Sequence, residues 1–424
     1  MADPSPAKLI ARADAEALAI NLRQLHVLCA VADAGSIAQA ADGLHRVSSA
    51  VARSISELEA MLGVPLFERR SRGMVPNANG DIVLNRARRI EREFDDARQL
   101  LVARGCIRSS PDVDGLFASI LNGRRLAVIA SLVERRSMAA VAREFAITQP
   151  AVSTAVKDLE ARLGVALFER SARGLVPTPA ADIVAFHFKR VLAELRHIAP
   201  DLAASIGLLK GSIHVGALPL GRTHVLPSAI AALLARHSQL HVATVESPYE
   251  ALAASLRSGD IDFILGALRA PADAKELQQE PLFEDRLSIM ARAGHPLTRI
   301  SRIDFDTLRQ ATWVLSRPGS PSRELFETFF SEARQRPPTP AVETGDLAVL
   351  RGLLLESDML TAISAHQLRY EIRDRSLVVL DFPLERTRRQ IGISQRQGAF
   401  PSPGAKALMD EIRRAVKQSV DFRR

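Results

Sequence analysis

The stretch SMAAVAREFAITQPAVSTAVKDLEARLGVALFERSARGLVP, residues Ser137–Pro177, decides how the N-terminal half of this chain folds. Ser137 predicts a helix N-cap, because its hydroxyl can accept a hydrogen bond from an otherwise unpaired amide of the first turn. Thr148 predicts the cap of a second helix, with Pro150 in the first turn, where a missing N–H costs nothing. Gly164 predicts the end of that helix, since glycine readily adopts the left-handed conformation. Two helices joined by a tight turn are typical of a helix-turn-helix.

The predicted second helix separates an apolar face from a polar face. Its inward positions are Ala151, Val152, Val156, Leu159 and Leu163, and its outward positions are Gln149, Ser153, Thr154 and Lys157. Gln149 can pair with adenine through two hydrogen bonds, and Ser153 or Thr154 can contact a base edge or a phosphate. The residues after this helix predict a two-stranded wing, whose Arg170 and Arg173 would meet the DNA backbone or minor groove. The pattern is also compatible with an ordinary amphipathic helical hairpin that has a polar outer face.

Residues 148–177 resemble the N-terminal motif of LysR-type transcriptional regulators, in a long match without gaps. In that family the sequence Gln-Pro-Ala-x-Ser leads the recognition helix, and the family often has arginine at the position of Thr154. The resemblance implies that a set of residues on the predicted second helix approaches the major groove of DNA. These residues are Gln149, Pro150, Ser153, Thr154 and Lys157, with Arg170 and Arg173 on the wing.

The first hundred residues contain a second copy of the same pattern. A shift of 101 residues places Asn21–Leu84 on Asn122–Ala185 without a gap, with 26 identities in 64 positions. A repeat of this kind predicts a duplicated DNA-binding domain. The copies differ where DNA would be read, because Ser48 and Ser49 stand where the second copy has Gln149 and Pro150.

Charge also separates the two copies. Residues Asn21–Ile82 include six basic and six acidic side chains, whereas Asn122–Ile183 includes nine basic and six acidic ones. Because phosphate neutralisation supplies much of DNA affinity, the second copy is the expected reader of operator DNA. The first copy either makes weaker backbone contacts or only packs as a structural partner. Its candidate DNA contacts are Ser48, Arg53, Arg69, Arg70 and Arg72.

Longer helical segments follow each wing, over Asp81–Ala103 and Ala180–Leu209. Each carries a long apolar stripe, and Pro200 predicts a kink or break in the second segment. In the LysR family this segment is a linker helix that pairs two subunits, and the alternative is a helix buried within its own monomer. The length of the stripe favours pairing of subunits, so that two chains would read an inverted repeat. Ser109–Gly115 predicts a flexible joint between the copies.

From Gly211 onward strand patterns alternate with helix patterns, which favours a parallel sheet with helices on both faces. GSIHVGALP at 211–219, LRSGDIDFILGAL at 256–268 and ARAGHPL at 291–297 resemble the effector domain of the same family. The resemblance implies a two-lobed α/β domain of the periplasmic-binding-protein type (type 2). The expected fold class is therefore multidomain α and α/β, with two tandem winged helix-turn-helix domains followed by this effector domain.

The predicted domains use the whole length of 424 residues, which is enough for several buried cores. They are an N-terminal tail (1–20), a first winged helix-turn-helix (21–80), a linker helix and joint (81–121), a second winged helix-turn-helix (122–179), a linker or dimerisation helix (180–210), effector lobe I (211–285 with 387–424) and effector lobe II (286–386). The net charge of +8 suits an anionic partner.

Ligands of open α/β sheets sit beyond the carboxyl ends of the strands, often against helix N-termini. This rule nominates four loops of the effector domain, which together suit a small carboxylate or a hydroxylated metabolite. Each loop also has an ordinary explanation, since caps and turns use the same residue types. The candidate effector residues are Leu218, Arg222, Thr223, Ser247, Tyr249, Ser316, Gly319, Ser320, Thr344 and Asp346.

The sequence contains no nucleophile elbow, phosphate loop, dinucleotide fingerprint or zinc-protease motif. Its two cysteines, Cys29 and Cys106, have no metal-binding spacing. We therefore expect no enzyme, no cofactor and no metal. We also expect a cytoplasmic protein without a membrane partner, because no signal-peptide pattern and no membrane-spanning run is present.

The expected function is that of a DNA-binding transcriptional regulator whose operator binding responds to a small-molecule effector. Its expected partners are double-stranded DNA, the effector and further copies of the chain as a homodimer or tetramer, with RNA polymerase as an additional candidate. Two alternatives remain at this point. One is a solute-binding or enzymatic α/β protein without DNA binding, and the other is an architectural DNA-binding protein without an effector.

Overall fold

The computed structural model describes residues 18–70, 73–108, 122–171 and 174–421. Arg72, Arg173 and the joint predicted over Ser109–Gly115 lie outside the described residues, as does most of the N-terminal tail. The first copy consists of α1 (Leu22–Ala34), α2 (Ile37–Gly43), α3 (Ser48–Leu62), β1 (Phe67–Arg70), β2 (Gly73–Pro76) and α4 (Ala78–Ala103). The second copy consists of α5 (Gly123–Arg135), α6 (Met138–Glu144), α7 (Gln149–Leu163), β3 (Phe168–Ser171), β4 (Gly174–Pro177) and α8 (Pro179–Ser205).

The helix ends of the second copy follow the predicted capping chemistry. The Ser137 hydroxyl accepts the Ala140 amide, and the Thr148 hydroxyl accepts the Ala151 amide, each at 3.3 Å. Gly164 ends α7 in the left-handed conformation, at φ 66°. These three predictions are confirmed. The inward position predicted for Ala151 is wrong, because Ala151 is exposed on the first turn of α7.

The linker helices α4 and α8 pack against each other within one chain. The ring of Phe94 in α4 meets the ring of Phe188 in α8 edge to face, with centroids 6.3 Å apart. Both rings belong to one hydrophobic core that includes residues of both copies. The sequence favoured linker helices that pair two subunits, whereas the structure pairs them inside the monomer. Pro200 does not break α8, which continues to Ser205.

The effector half begins after α8 and crosses twice between its two lobes. The first lobe contains β5 (Gly211–Ala217), α9 (Pro219–Thr223), α10 (Val225–Leu234), β6 (Leu240–Val245), α11 (Tyr249–Ser258), β7 (Phe263–Ala267) and β8 (Leu277–Asp285). The second lobe contains β9 (Leu287–Arg292), α12 (Phe305–Gln310), β10 (Val314–Leu315), α13 (Pro321–Glu332), β11 (Val342–Glu343), α14 (Leu347–Glu356), β12 (Thr361–Ser364), α15 (Arg369–Arg373) and β13 (Leu377–Val379). The chain returns to the first lobe through β14 (Arg389–Arg396) and α16 (Pro403–Asp421).

The first lobe is built on a mixed five-stranded sheet, and the second lobe contains a three-stranded antiparallel sheet and a two-stranded parallel sheet. The first-lobe sheet has the strand order β6-β5-β7-β14-β8, in which β5 is parallel to β6 and β7. Strand β14 runs antiparallel to β7 and β8, because the chain re-enters this sheet from the second lobe in the opposite direction. In the second lobe, β9 pairs antiparallel with β12 and β13, and β10 pairs parallel with β11. The predicted parallel pairing is therefore confirmed for β5 with β6 and β7, while β14 departs from it.

Candidate nucleic-acid interface and ligand cleft

Helix α7 is anchored by one face and presents the other face to solvent. Val152, Val156, Leu159 and Leu163 are buried, which fixes the rotation of the helix about its axis. Gln149, Pro150, Thr154 and Lys157 are exposed and Ser153 is half-buried. The predicted recognition residues therefore lie together on the solvent side of α7, most of them in its first two turns.

The wing of the second copy is held against the recognition helix by Glu160. Its Oε1 accepts the amides of Leu167, at 2.7 Å, and Phe168, at 3.3 Å. The wing arginine Arg170 is exposed on β3, opposite Leu175 of β4. We did not predict this role for Glu160. The repeat contained a signal for it, because both copies have glutamate at this position. In the structure, the equivalent Glu59 of the first copy accepts the Leu66 amide in the same way.

The first copy presents a different surface at the same place. The N-cap of α3 is Val47, which makes no side-chain cap and is 68% exposed. Ser48 and Arg53 are exposed on α3. A depression of about 410 Å³ lies beside this helix, and it is lined by Asn21, Arg23, Gln24, Arg46, Ser49, Ala50, Arg53, Ser54 and Glu57.

In the first effector lobe, Tyr249 and Arg269 lie together at the carboxyl ends of the strands. Tyr249 is 6% exposed, and its hydroxyl has no hydrogen-bond partner among the described residues. The Arg269 guanidinium lies over the Tyr249 ring, 4.2 Å from its centroid. Burial raises the pKa of Tyr249, so this phenol stays protonated and can donate a hydrogen bond. Leu218 is buried in the same cluster, and Ser247 is half-buried.

In the second lobe, several predicted effector residues have local partners. The Asp346 carboxylate caps α14 by accepting the amides of Ala348, at 2.7 Å, and Val349, at 3.0 Å. These bonds lower the pKa of Asp346, and Thr344 accepts the Asp346 amide. The Ser320 hydroxyl donates within its own loop instead of capping α13. Ser316 also lies in this loop, together with Gly319 at φ 74°.

One hydrogen-bond distance and two longer-range charge interactions relate the two lobes across the space between these loops. The Arg222 guanidinium adds to the backbone bonds that lower the pKa of Asp346. The Thr223 hydroxyl lies 3.2 Å from the Leu220 carbonyl and 3.5 Å from the carbonyl of His366 in the second lobe. Glu324 of α13 acts electrostatically on Arg269, whose pKa burial lowers. Arg222, Thr223 and Arg269 of the first lobe therefore approach Asp346, His366 and Glu324 of the second lobe.

Arg269 is the cleft residue that the sequence reasoning missed. It follows β7, and the sequence nominated the loops after β5 and β6 but not the loop after this third parallel strand. Its side chain is fixed by donation from Nη1 to the Ala267 carbonyl at 3.0 Å. Applying the strand-end rule to every parallel strand identifies this residue.

Two family profiles match most of this chain. The profile described as "Bacterial regulatory helix-turn-helix protein, lysR family" matches residues 22–81 and again residues 124–182. The profile "LysR substrate binding domain" matches residues 207–417. The chain belongs to the LysR family. The family membership is thus confirmed, and the helix-turn-helix profile matches both copies of the repeat.

Relatives within the LysR family divide by how much of the chain they cover. The transcriptional regulator GalR of Pseudomonas putida is 46% identical over 398 residues, which cover 94% of this chain and 98% of GalR. The RuBisCO operon transcriptional regulator of Allochromatium vinosum is 30% identical and covers 68% of this chain and 94% of its own length. The alignment with GalR is long enough to include both helix-turn-helix copies.

Solved LysR-family structures share the fold. A full-length OxyR variant from Pseudomonas aeruginosa has a TM-score of 0.53 and 24% identity, covering 69% of this chain and 95% of that structure. CbnR in complex with its target DNA has a TM-score of 0.50 and 20% identity, covering 70% of this chain and all of that structure. The two profiles and the long alignment with GalR show that the chain is a DNA-binding transcriptional regulator with an effector domain. Within its described residues, no helix is long and apolar enough to cross a membrane.

Proposed function

We propose that the second helix-turn-helix copy reads operator DNA through α7, with Gln149, Ser153, Thr154 and Lys157 in the major groove. Pro150 lies in the first turn of this helix, and Arg170 and Arg173 extend the contact along the wing. The observation that supports the proposal is the polar, solvent-facing N-terminal half of α7, held in place by its buried opposite face. Short polar side chains at this position can reach base edges.

The DNA proposal is tested on the fragment upstream of the chain's own gene. We expect Gln149→Ala/Ser153→Ala to lose most of the discrimination between this fragment and unrelated DNA, since each good base contact contributes about 1–3 kcal/mol. Gln239→Ala, on an exposed residue of the first effector lobe, is the control. Unchanged discrimination by the double variant would place the recognition surface elsewhere.

We further propose that a small molecule with a carboxylate binds in the cleft between the lobes and modulates operator binding without a catalytic step. Arg222 and Arg269 supply positive charge, and the buried Tyr249 hydroxyl supplies a donor for a hydroxyl or carboxylate oxygen. Leu218, Thr223, Ser247, Ser316, Gly319, Ser320 and Thr344 complete the candidate set. Asp346 is assigned to capping α14, with ligand contact as its secondary role.

The effector proposal is tested by thermal denaturation of the full chain with a panel of small hydroxylated carboxylates. A ligand at about 100 times its Kd adds about 2.7 kcal/mol to the free energy of unfolding of the domain that binds it. We expect Arg269→Ala to remove the stabilisation and Arg386→Ala, on an exposed arginine of the second lobe, to retain it. Equal stabilisation of both variants would exclude Arg269 from the site.

The proposal includes assembly into a homo-oligomer in the cytoplasm. It also keeps the domain boundaries that the sequence predicts. Because the linker helices are paired within the chain, subunits associate through other surfaces. The effector lobes are the proposed interface between subunits, since they are the largest part of the chain outside the DNA-binding half. RNA polymerase remains a predicted partner of the assembled regulator.

A further inference from the structure

The paired linker helices exchange reciprocal polar contacts. Arg86 Nη1 of α4 donates to Glu194 Oε2 of α8 at 2.6 Å. In the opposite direction, His187 Nδ1 of α8 lies 3.0 Å from Glu93 Oε2 of α4. The shift of 101 residues that relates the two copies converts Arg86 into His187 and Glu93 into Glu194. An interface in which i contacts j and j contacts i has two-fold symmetry.

A second set of contacts repeats this exchange. Arg89 Nε donates to Glu194 Oε1 at 2.8 Å, and Arg190 Nη1 lies 3.5 Å from Glu93 Oε2. Arg89 and Arg190 are again equivalent under the shift of 101 residues. The apolar residues between α4 and α8 show the same symmetry, because residues that are equivalent under the shift of 101 are buried in both helices. The pairs are Val83 and Val184, Ala87 and Phe188, Ile90 and Val191, Phe94 and Leu195, Ala97 and Ile198, and Leu101 and Leu202.

The symmetry extends to the helix-turn-helix domains themselves. Asn21 and Asn122, which cap the first helix of each copy, are equivalent residues and form an antiparallel bridge with each other. Because the two bridged residues are equivalent, the bridge lies on the two-fold axis that relates the two copies. Helices α3 and α7 are therefore related by the same axis, as recognition helices are in a symmetric dimer of single-copy proteins.

The first copy presents three arginines beside α3 and has apolar residues at two positions where the second copy has polar ones. Arg23, Arg46 and Arg53 line the depression beside α3. Val47 and Ala52 occupy the positions at which the second copy has Thr148 and Ser153. Arginine can bind phosphate through two hydrogen bonds, whereas these apolar side chains cannot form hydrogen bonds to a base edge. The surface suits the DNA backbone.

We propose that one chain is a complete DNA-binding unit that occupies two unlike half-sites on one operator. The second copy reads bases, which is the proposed function on which this inference rests. The first copy binds phosphates through Arg23, Arg46 and Arg53. Because α4 occupies the surface of α8 that a partner's linker helix would otherwise use, no second chain is needed to form the pair.

The phosphate grip is tested by measuring DNA affinity of the full chain across a series of salt concentrations. Each phosphate contact adds about 0.9 to the slope of log K against log salt concentration. We expect Arg23→Ala/Arg53→Ala to reduce the slope by about 2 and to weaken binding equally for upstream and unrelated DNA. Arg386→Ala removes a surface arginine far from both copies in sequence and is expected to leave the slope unchanged.

The outcomes separate this inference from the function on which it rests. If Gln149→Ala/Ser153→Ala retains full discrimination, the proposed function fails. If that variant loses discrimination while Arg23→Ala/Arg53→Ala keeps the wild-type slope, the proposed function stands and the grip by the first copy is overturned. A changed sequence preference in Arg23→Ala/Arg53→Ala would also overturn it, because the first copy would then read bases.

The single-chain unit is tested on the wild-type protein by native mass spectrometry and footprinting with the upstream DNA. We expect one chain for every two protected half-sites. Inserting about 5 base pairs between them, half a helical turn, is expected to remove protection of the half-site bound by the first copy. Tolerance of the insertion would indicate independent domains on a flexible tether. Two chains per pair of half-sites would indicate exchange of linker helices between chains. Either result would overturn the inference.

Discussion

Arg86 is a fully buried cation that joins three parts of the chain. Besides its bond to Glu194, its Nε donates to Asp201 Oδ2 at 2.7 Å and its Nη1 donates to the Phe400 carbonyl at 2.8 Å. The guanidinium also stacks on the Phe400 ring, 4.6 Å from the centroid. Burying a charge costs desolvation free energy, which the bonds to its partners offset. The carboxylates that accept these bonds depend on the cation in the same way.

We predict that Arg86→Met destabilises the paired linker helices by about 3–5 kcal/mol, because it removes the buried cation that bonds both Glu194 and Asp201. Native-state hydrogen exchange of amides in α4 and α8 measures this loss as lower protection. Arg88→Ala is the matched control. Arg88 pairs with Asp33 on the surface, where an ion pair contributes about 0–1 kcal/mol. Equal losses in the two variants would contradict the role given to Arg86.

The linker helices carry a carboxylate whose ionisation supports their pairing. Burial alone would raise the pKa of Glu93, but its bond with His187 and the charges of Arg190 and Arg396 outweigh burial and lower it. A carboxyl with a lowered pKa in the folded state adds stability above its unfolded pKa. That stability is lost as the pH falls through the lower folded value.

We therefore predict that protection of α4 and α8 against hydrogen exchange is constant near neutral pH and declines as the pH falls below about 4.5, the ordinary value for glutamate. Glu93→Gln should remove this part of the acid dependence, because an amide does not titrate. Glu57→Gln, on an exposed glutamate of α3, is the control and should retain it. An identical acid profile in the wild type and Glu93→Gln would contradict the assignment.

Local chemistry predicted the elements of the helix-turn-helix, because each cap is decided by residues a few positions apart. Ser137, Thr148 and Gly164 are examples. The partner of a linker helix could not be predicted in this way, since an apolar stripe shows that a surface is covered but not what covers it. Strand β8 was also missed, because LQQEPLFED contains a proline and five charged or amide side chains. Its place in the sheet depends on pairing with β14, more than a hundred residues later along the chain.

The end of β14 and the segment after it connect the effector domain to the DNA-binding half. Arg396 Nη1 lies 3.3 Å from Glu93 Oε1, and Arg89 Nη2 donates to the Gly398 carbonyl at 2.8 Å. The Phe400 ring lies near both Arg86 and Lys406, whose Nζ is 4.4 Å from its centroid. A change in the effector lobes therefore has a direct contact route to the linker helices.

We predict that Phe400→Ala weakens the effect of the effector on operator affinity while the effector-free affinity changes little. The coupling is the ratio of DNA Kd values with and without effector, which typically lies between about 5 and 150 in allosteric proteins. Removing the ring should bring this ratio closer to one. Val379→Ala, on an exposed residue of β13, is the control. A wild-type ratio in Phe400→Ala would exclude this contact as the route.

The internal two-fold pairing has a genetic consequence. In a regulator assembled from two identical subunits, one codon specifies the same position in both DNA-binding domains, so every substitution appears twice. Here Ser48 and Gln149 are separate codons of one gene, and either can change while the other is kept. Each half of the operator can therefore be matched by its own mutations, one side at a time.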